Sequence, residues 1–324
     1  MQKDGMKVLI TGATGLVGQA IVRVLHQQNI MVNYLTTSKD KITDSKDFQG
    51  FYWNPAKDEI DMACFDGVDA IINLAGASIA QRWTSKNKEI ILKSRTESLD
   101  TLYNALSKKS THQIRSFITA SAIGIYPDSL THYYDEKETV VDDSFLGEVT
   151  EKWEASADKF NEFDFKLAKI RIGLVLSTDG GVLPRMATPV KNFVGAPLGS
   201  GEQWQSWIHI DDLAIMFTFV LENKLEGVFN GVSPNPVTNT KMTKELARVL
   251  NRPLWLPNVP KFVLSGILGK MSYLLFASQR VSSKKMEKHG FNFQFPNLGP
   301  ALENLFDENR KSRTATATMK NELV

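Results

Sequence analysis

The clearest chemistry in the chain is near its start. In Lys7-Val8-Leu9-Ile10-Thr11-Gly12-Ala13-Thr14-Gly15-Leu16-Val17-Gly18, three glycines stand three residues apart, between an apolar run and an amphipathic one. Backbone without Cβ turns tightly and lets a diphosphate approach, and the last glycine lets helix and strand pack closely. The free N–H groups and positive dipole end of the helix that follows hold phosphate oxygens. Gly12, Thr14, Gly15, Leu16, Val17 and Gly18 are therefore expected at a dinucleotide, because the turn has both the strand before it and the helix after it that such a site needs. An NAD-type site places an acidic residue at the end of the second strand, on the ribose 2′-hydroxyl. Here Thr36, Thr37, Ser38 and Lys39 occupy that end, with no acidic residue before Asp40. Hydroxyls and an ammonium suit a 2′-phosphate, which favours NADP(H) over NAD(H). Another apolar strand ends in Ala75-Gly76-Ala77, small residues that leave room for a cofactor. No spacing of His, Cys, Asp or Glu suggests a metal.

These residues need a parallel sheet to hold them. Apolar runs predict strands at 7–11, 31–35, 51–53, 70–74, 116–120 and 169–174, and helical spacing predicts helices near 15–28, 86–107 and 148–163. The alternation implies an α/β, Rossmann-type doubly wound parallel sheet. After Val175 the pattern changes to glycine-rich loops, with helices expected at 212–222, 239–250 and 262–276, the last covering a core or pocket. Residues 6–178 are expected to form the NAD(P)-binding Rossmann domain, with 205–233 returning to it. Residues 179–204 and 234–306 would build a smaller C-terminal α/β substrate domain, and 307–324 a polar tail.

Composition narrows the function. The chain has 324 residues, 42% hydrophobic and 23% charged, with 38 basic and 36 acidic side chains. That near balance, with no basic block, argues against a nucleic-acid partner. The one cysteine, Cys64, excludes an internal disulfide, fits a reducing compartment and reads as a packed residue. The apolar run 262–276 is interrupted by Lys270 and too short for a bilayer. With no leader visible, a cytoplasmic protein without membrane contact is expected.

The blocks Ile10-Thr11-Gly12-Ala13-Thr14-Gly15-Leu16-Val17-Gly18, Ile72-Asn73-Leu74-Ala75-Gly76, Arg82-Trp83-Thr84 with Ser94-Arg95, Arg171-Ile172-Gly173-Leu174-Val175-Leu176, Gly199-Ser200-Gly201, Trp207-Ile208-His209-Ile210-Asp211-Asp212 and Gly231-Val232-Ser233-Pro234 carry a resemblance. The chain resembles an extended short-chain dehydrogenase/reductase and, more closely, the atypical sugar-nucleotide epimerase-like (YfcH-type) family. The resemblance spans about residues 7–306. It implies NADP(H), with Thr36 and Thr37 at the adenosine end, Leu74 beside the cofactor, Arg95 near its phosphates and Val175 by the nicotinamide. Many relatives carry arginine where this chain has Thr37, which leaves Lys39 as its substitute. Extended relatives often dimerise, so a homodimer is one expectation.

Such enzymes usually work with Ser, Tyr and Lys: tyrosine moves the proton, lysine lowers its pKa, and serine holds the substrate oxygen. Ser121 stands at the expected strand end. Registered on Trp153-Glu154, however, Leu146 and Thr150 occupy the tyrosine and lysine positions. Tyr133 and Lys137 match the spacing but precede that helix among acidic residues, and read as coincidence. Tyr126, nearer Ser121, is the other catalytic candidate, with packing in the loop as its alternative. Arg82, Trp83, Arg185, Trp204 and His209 are candidates for a substrate pocket, although His209 equally suits structural hydrogen bonds at a strand end. The expected function is an NADP(H)-dependent, epimerase-like oxidoreductase acting on a small polar substrate of nucleotide-sugar type. The alternative is a catalytically reduced NADP(H)-binding sensor or regulatory protein.

Overall fold

The computed structural model describes residues 5–109 and 112–307. The tail expected beyond Asp307 lies outside the described residues. In chain order, β1 (Lys7–Thr11), α1 (Leu16–Gln27) and β2 (Met31–Thr36) lead to β3 (Asp44–Ser45), β4 (Phe48–Asn54), β5 (Glu59–Ile60) and β6 (Ala70–Asn73). There follow α2 (Ser85–Lys108), β7 (Ser116–Ala122), β8 (Tyr133–Tyr134), α3 (Phe145–Asp158), β9 (Lys166–Ile172), β10 (Leu174–Leu176), α4 (Leu183–Lys191), β11 (Trp204–Gln205), β12 (Trp207–His209) and α5 (Ile210–Glu222). The remaining elements are β13 (Gly227–Gly231), β14 (Val237–Thr238), α6 (Asn239–Val249), α7 (Lys261–Leu268), α8 (Tyr273–Phe276), β15 (Arg280–Val281), α9 (Lys284–Lys288) and α10 (Leu298–Phe306).

The large sheet runs β13-β9-β7-β6-β1-β2-β4-β3, with β5 beside β4. All its ladders are parallel except β3–β4 and β4–β5. Its central strands read as unbroken apolar runs because both faces are covered: Val8, Leu9, Ile10, Ala70, Ile71 and Ile72 are all fully buried. Helix α1 packs on α5, and α2 on α3. This is the α/β Rossmann-type architecture that the alternation of strands and helices implies. The strand order reverses between β1 and β6, and ligands of such sheets bind in the crevice outside the carboxyl ends at that point.

The last strand, β13, joins β9 at the edge of the sheet, so the chain returns to the large sheet at Gly227–Gly231. Side chains close its outer edge: Lys285 Nζ donates to the Val228 carbonyl at 2.7 Å, and the Asn230 N–H donates to Glu136 Oε1 at 2.9 Å. The later segments form three two-stranded pieces, β10–β12, β11–β14 and β8–β15.

Several elements differ from expectation, three of them for an identifiable reason. Helix α3 starts at Phe145, three residues early, because the Ser144 side chain caps it by accepting from Leu146 N–H. Helix α4 forms where the glycines suggested loop; Pro184 sits in its first turn, where the missing N–H costs nothing. The expected 262–276 helix breaks into α7, a 3-10 turn and α8 at Gly269, whose φ is +58°.

Candidate functional site

The glycine turn lies at the carboxyl end of β1, beside the start of the chain segment after β6. Thr11 ties the two together, its Oγ1 accepting from the N–H groups of Leu74 and Ala75 at 3.0 Å each. Gly12 adopts a φ of +71°, and the Gly15 N–H donates to the Gly12 carbonyl at 3.0 Å. A Cβ on Gly18 would overlap the Gly12 carbonyl and the Ala13 backbone, so only glycine lets α1 start this close to the strand. At Gly15 a Cβ would have only Gly12 O near it, at 3.2 Å, and the residue is exposed. Helix α1 begins without a side-chain cap, and Thr14 beside it is exposed while Leu16 and Val17 are half-buried. An uncapped helix start above an open glycine cradle is the donor set a diphosphate requires. The residues present therefore fit a bound dinucleotide.

The other expected cofactor residues spread along the crevice. Thr36 is buried, and its Oγ1 accepts from the Ser38 N–H at 3.2 Å. Thr37 and Lys39 are exposed, and Lys39 Nζ stands 5.1 Å from the centre of the Tyr52 ring. Leu74 and Ala75 are half-buried, Gly76 exposed, and Val175 half-buried on β10. A Cβ on Gly76 would lie 3.1 Å from Arg95 Cζ. Arg95 Nη1 donates to the carbonyls of Ala77 and Ile91 at 3.1 and 2.8 Å, and its guanidinium covers Trp153 at 5.0 Å. Burial lowers its pKa to about 10, which leaves it a cation at neutral pH.

Arg95 and Trp153 open onto a cavity of about 260 Å³. Ile123, Leu146, Val149, Ile172, Leu174 and Leu274 supply its apolar wall, and Trp204, Gln205 and Gln279 its polar side. Leu146 and Thr150 line it, one turn apart on α3. Thr150 Oγ1 donates back to the Leu146 carbonyl at 2.8 Å. Arg95 is the one ionisable side chain among the lining residues.

Ser121 and Tyr126 do not line this cavity. They belong to a buried hydrogen-bond network. Ser121 Oγ donates to Glu154 Oε1 at 2.5 Å. Arg171 grips Glu154 with Nε and Nη2, both at 2.8 Å, and donates from Nη1 to the Tyr126 hydroxyl at 3.0 Å. The Tyr126 hydroxyl in turn donates to Asn230 Oδ1 at 2.7 Å. Burial pushes the Tyr126 phenol up to about 12, against the opposing pull of Arg171. Burial would also raise Glu154, but the hydrogen bonds and charge of Arg171, with help from Ser121 and Lys169, hold it below the usual carboxylate range. Sequence reasoning missed Glu154, Arg171 and Asn230. The available signal was an arginine inside the apolar run Ile170-Arg171-Ile172, since a buried cation needs a partner.

The candidate pocket residues separate. Trp204 lines the cavity, its indole N–H donating to the Leu130 carbonyl at 3.0 Å. Trp83 packs edge-on to Phe145 at 5.1 Å and lines a neighbouring cavity of about 340 Å³. Arg82 is exposed, with Nη2 3.4 Å from the Ile267 carbonyl. Arg185 lies exposed on α4 and lines neither cavity. His209 is fully buried: Nδ1 accepts from the Asp211 N–H at 3.1 Å, capping α5, and the ring stacks on Phe295 at 4.0 Å. It caps a helix and lines neither cavity. Tyr133 is part of β8, under the Arg280 guanidinium, and Lys137 turns through its N–H to Asp135. Cys64 is buried, and burial drives its thiol pKa far up. Among the described residues, no three His, Cys, Asp or Glu side chains are grouped to hold a metal, and no helix is long and apolar enough to cross a membrane.

A doubly wound sheet with this glycine turn at its strand-order reversal defines a Rossmann-type NAD(P)-binding protein of the extended short-chain dehydrogenase/reductase class. Residues 8–148 match the NAD dependent epimerase/dehydratase family, and residues 259–305 match a domain of unknown function, DUF1731. The chain is 38% identical over 302 residues to an epimerase family protein of Staphylococcus haemolyticus, covering 92% of this chain and 98% of that one. It is 38% identical over 307 residues to the chloroplastic epimerase family protein SDR39U1 homolog of Arabidopsis thaliana, covering 93% and 87%. The crystal structure of human epimerase family protein SDR39U1 (isoform 2) with NADPH superimposes with a TM-score of 0.80 at 29% identity, covering 93% of this chain and 99% of that one. The chain belongs to this epimerase family.

Proposed function

We propose that the protein is an NADP(H)-dependent oxidoreductase whose cofactor lies along the crevice from Lys39 to the cavity beside Arg95. The observation that carries this reading is the uncapped start of α1 above the glycine cradle after β1, together with a cavity lined by Ala122 and Ile172 at the carboxyl ends of β7 and β9. The human relative solved with NADPH supports the choice of cofactor. Thr37 and Lys39, exposed at the end of β2, suit a 2′-phosphate, and Thr36 shapes their turn. Gly12, Thr14, Gly15, Leu16, Val17 and Gly18 would hold the diphosphate, with Leu74, Ala75, Gly76, Arg95 and Val175 along the rest of the molecule. Residues 6–178 with 205–233 then serve the cofactor, and 179–204 with 234–306 the substrate. Bound NADPH supplies a hydride.

The chain's own part is to bind, orient and exclude water. Ser121 and Tyr126 act as positioning residues in this reading, since their hydroxyls are committed to Glu154 and Asn230. The wall of Ile123, Leu146, Val149, Ile172, Leu174 and Leu274 suits an apolar substrate body better than a small polar one.

NADPH titration by fluorescence tests the cofactor half. In Gly15→Asp the added Cβ meets the Gly12 carbonyl at 3.2 Å, which a shift of a few tenths of an ångström relieves, and its carboxylate stands where the diphosphate would lie; circular dichroism checks that the variant folds. Affinity should fall roughly 100-fold or more, because like-charge juxtaposition costs several kcal/mol. Undiminished binding by this variant sinks the reading. Turnover of a carbonyl panel, followed by absorbance, tests the catalytic half. One observation favours a second reading, a cofactor-binding sensor: Arg95 is the one ionisable group in the cavity wall. A sensor would recover a partner from pull-downs differently with NADP⁺, NADPH and no cofactor, and equal recovery excludes it.

A further inference from the structure

We propose that the ligand of this site is an amphipathic anion. Its apolar body would fill the cavity beside Arg95, and a phosphate or carboxylate group would sit among Lys88, Lys261 and Lys270 in the neighbouring cavity. The inference rests on the cofactor reading only for the orientation of the body.

The two cavities are adjoining compartments. Ala277 lines both. Consecutive residues at two places divide between them: Leu146 and Leu274 face the first, and Phe145 and Tyr273 the second. The two cavities therefore meet at Ala277, between the start of α3 and helix α8.

Both are lined largely by apolar atoms, and their charged residues set them apart. The first cavity holds Arg95 alone, whereas the second holds three lysines against one lining carboxylate, Asp128. Asp128 is already engaged, its Oδ1 accepting from the Ser278 N–H at 2.7 Å. Asp142, bonded to the lining residues Tyr273 and Ser144, is engaged too: the Tyr273 hydroxyl donates to both its oxygens, at 2.9 and 3.0 Å, and Ser144 Oγ donates to Oδ2. The lysines have no such partners among the described residues. Lys88 Nζ instead lies over the Phe145 ring at 4.5 Å, and Lys261 Nζ over Phe276 at 5.4 Å. Three lysines around a cavity of about 340 Å³, against one lining carboxylate, leave an excess of positive charge suited to a small anion. The Trp83, Phe145 and Phe276 rings around it strip water from the bound group and strengthen the attraction.

Calorimetry on the full chain loaded with NADP⁺ tests this, with 1-naphthyl phosphate, 2-naphthoate, 1-naphthol, inorganic phosphate and UDP-glucose as probes. At least one naphthyl anion should bind about tenfold or more tighter than 1-naphthol, and tighter than inorganic phosphate. Preference between the two anions identifies the head group as phosphate or carboxylate. Lys261→Glu with Lys270→Glu should weaken the anions about tenfold and leave 1-naphthol unchanged. Equal affinity for naphthol and the anions overturns the proposal. So does indifference to the two substitutions, failure of either anion to bind, or tighter lysine-independent binding of UDP-glucose. NADPH fluorescence on the same samples separates the two readings. Wild-type protein that fails to bind NADPH refutes the cofactor site, whereas normal NADPH binding with a failed anion series refutes only the amphipathic ligand.

Discussion

Removing one partner of the Glu154–Arg171 pair leaves the other charge buried, since both side chains are only 8% exposed. Arg171→Met should therefore cost about 3–5 kcal/mol, read from urea unfolding. The same pair sets an acid limb. The folded-state pKa of Glu154 lies below its unfolded value, so its stabilisation is complete above the ordinary carboxylate range and is lost as pH falls through the folded value. Asp212 and Glu136, which burial shifts upward, act in the opposite sense, so the difference between wild type and Glu154→Gln isolates the effect. That difference should shrink as the pH drops below about 4. A constant gap across the titration would remove Glu154 from the account. At this scale the sequence was partly legible. Ser121 could be placed at a strand end from its own neighbours. Its partner could not, because Glu154 is 33 residues away, and Tyr126 meets an Asn230 side chain 104 residues on.

Secondary-structure elements were legible where a local rule decides them and obscure where tertiary contacts do. Strands β1 and β6 are apolar runs with no competing pattern, and their expected bounds agree with the structure to within one residue. Helix α4 holds two prolines and follows two glycines, so local signals argued against it; burial of Leu183, Ala187 and Val190 overrides them. The segment from Lys261 to Phe276 read as one helix because no local apolar pattern reveals the turn at Gly269. Helix α7 buries none of its residues, and the segment is tied to the loop before α3 by the hydrogen bonds of Tyr273 to Asp142. Tyr273→Phe should cost roughly 1.5–3 kcal/mol, the range for a hydrogen bond to a charged group. Hydrogen exchange should quicken across 261–276 while β1 and β6 keep their protection. Uniform acceleration over the whole chain would show that this tie is not local.

For the whole molecule, alternation of strand and helix was enough to foresee the doubly wound sheet and its glycine turn at the crevice. It could not foresee which side chains from the later segments face that crevice, because β10–β12, β11–β14 and β8–β15 are two or three residues long and below the reach of periodicity. The return of the chain at β13 matters beyond the site. An open strand edge is a template on which foreign strands pair and grow into aggregates. Here Lys285 and Glu136 occupy the free carbonyl and N–H of that edge, while the opposite edge is the exposed two-residue strand Asp44–Ser45. Lys285→Ala should lower the temperature at which light scattering rises, with far-ultraviolet circular dichroism unchanged before onset. An unaltered scattering onset would mean the ammonium is not a guard. The β13 border is blocked in this way and the β3 border is only two residues long, so neither offers a second copy a long free strand on which to continue the sheet. Crowded solutions of the protein should therefore not thicken through strand addition at the β13 side.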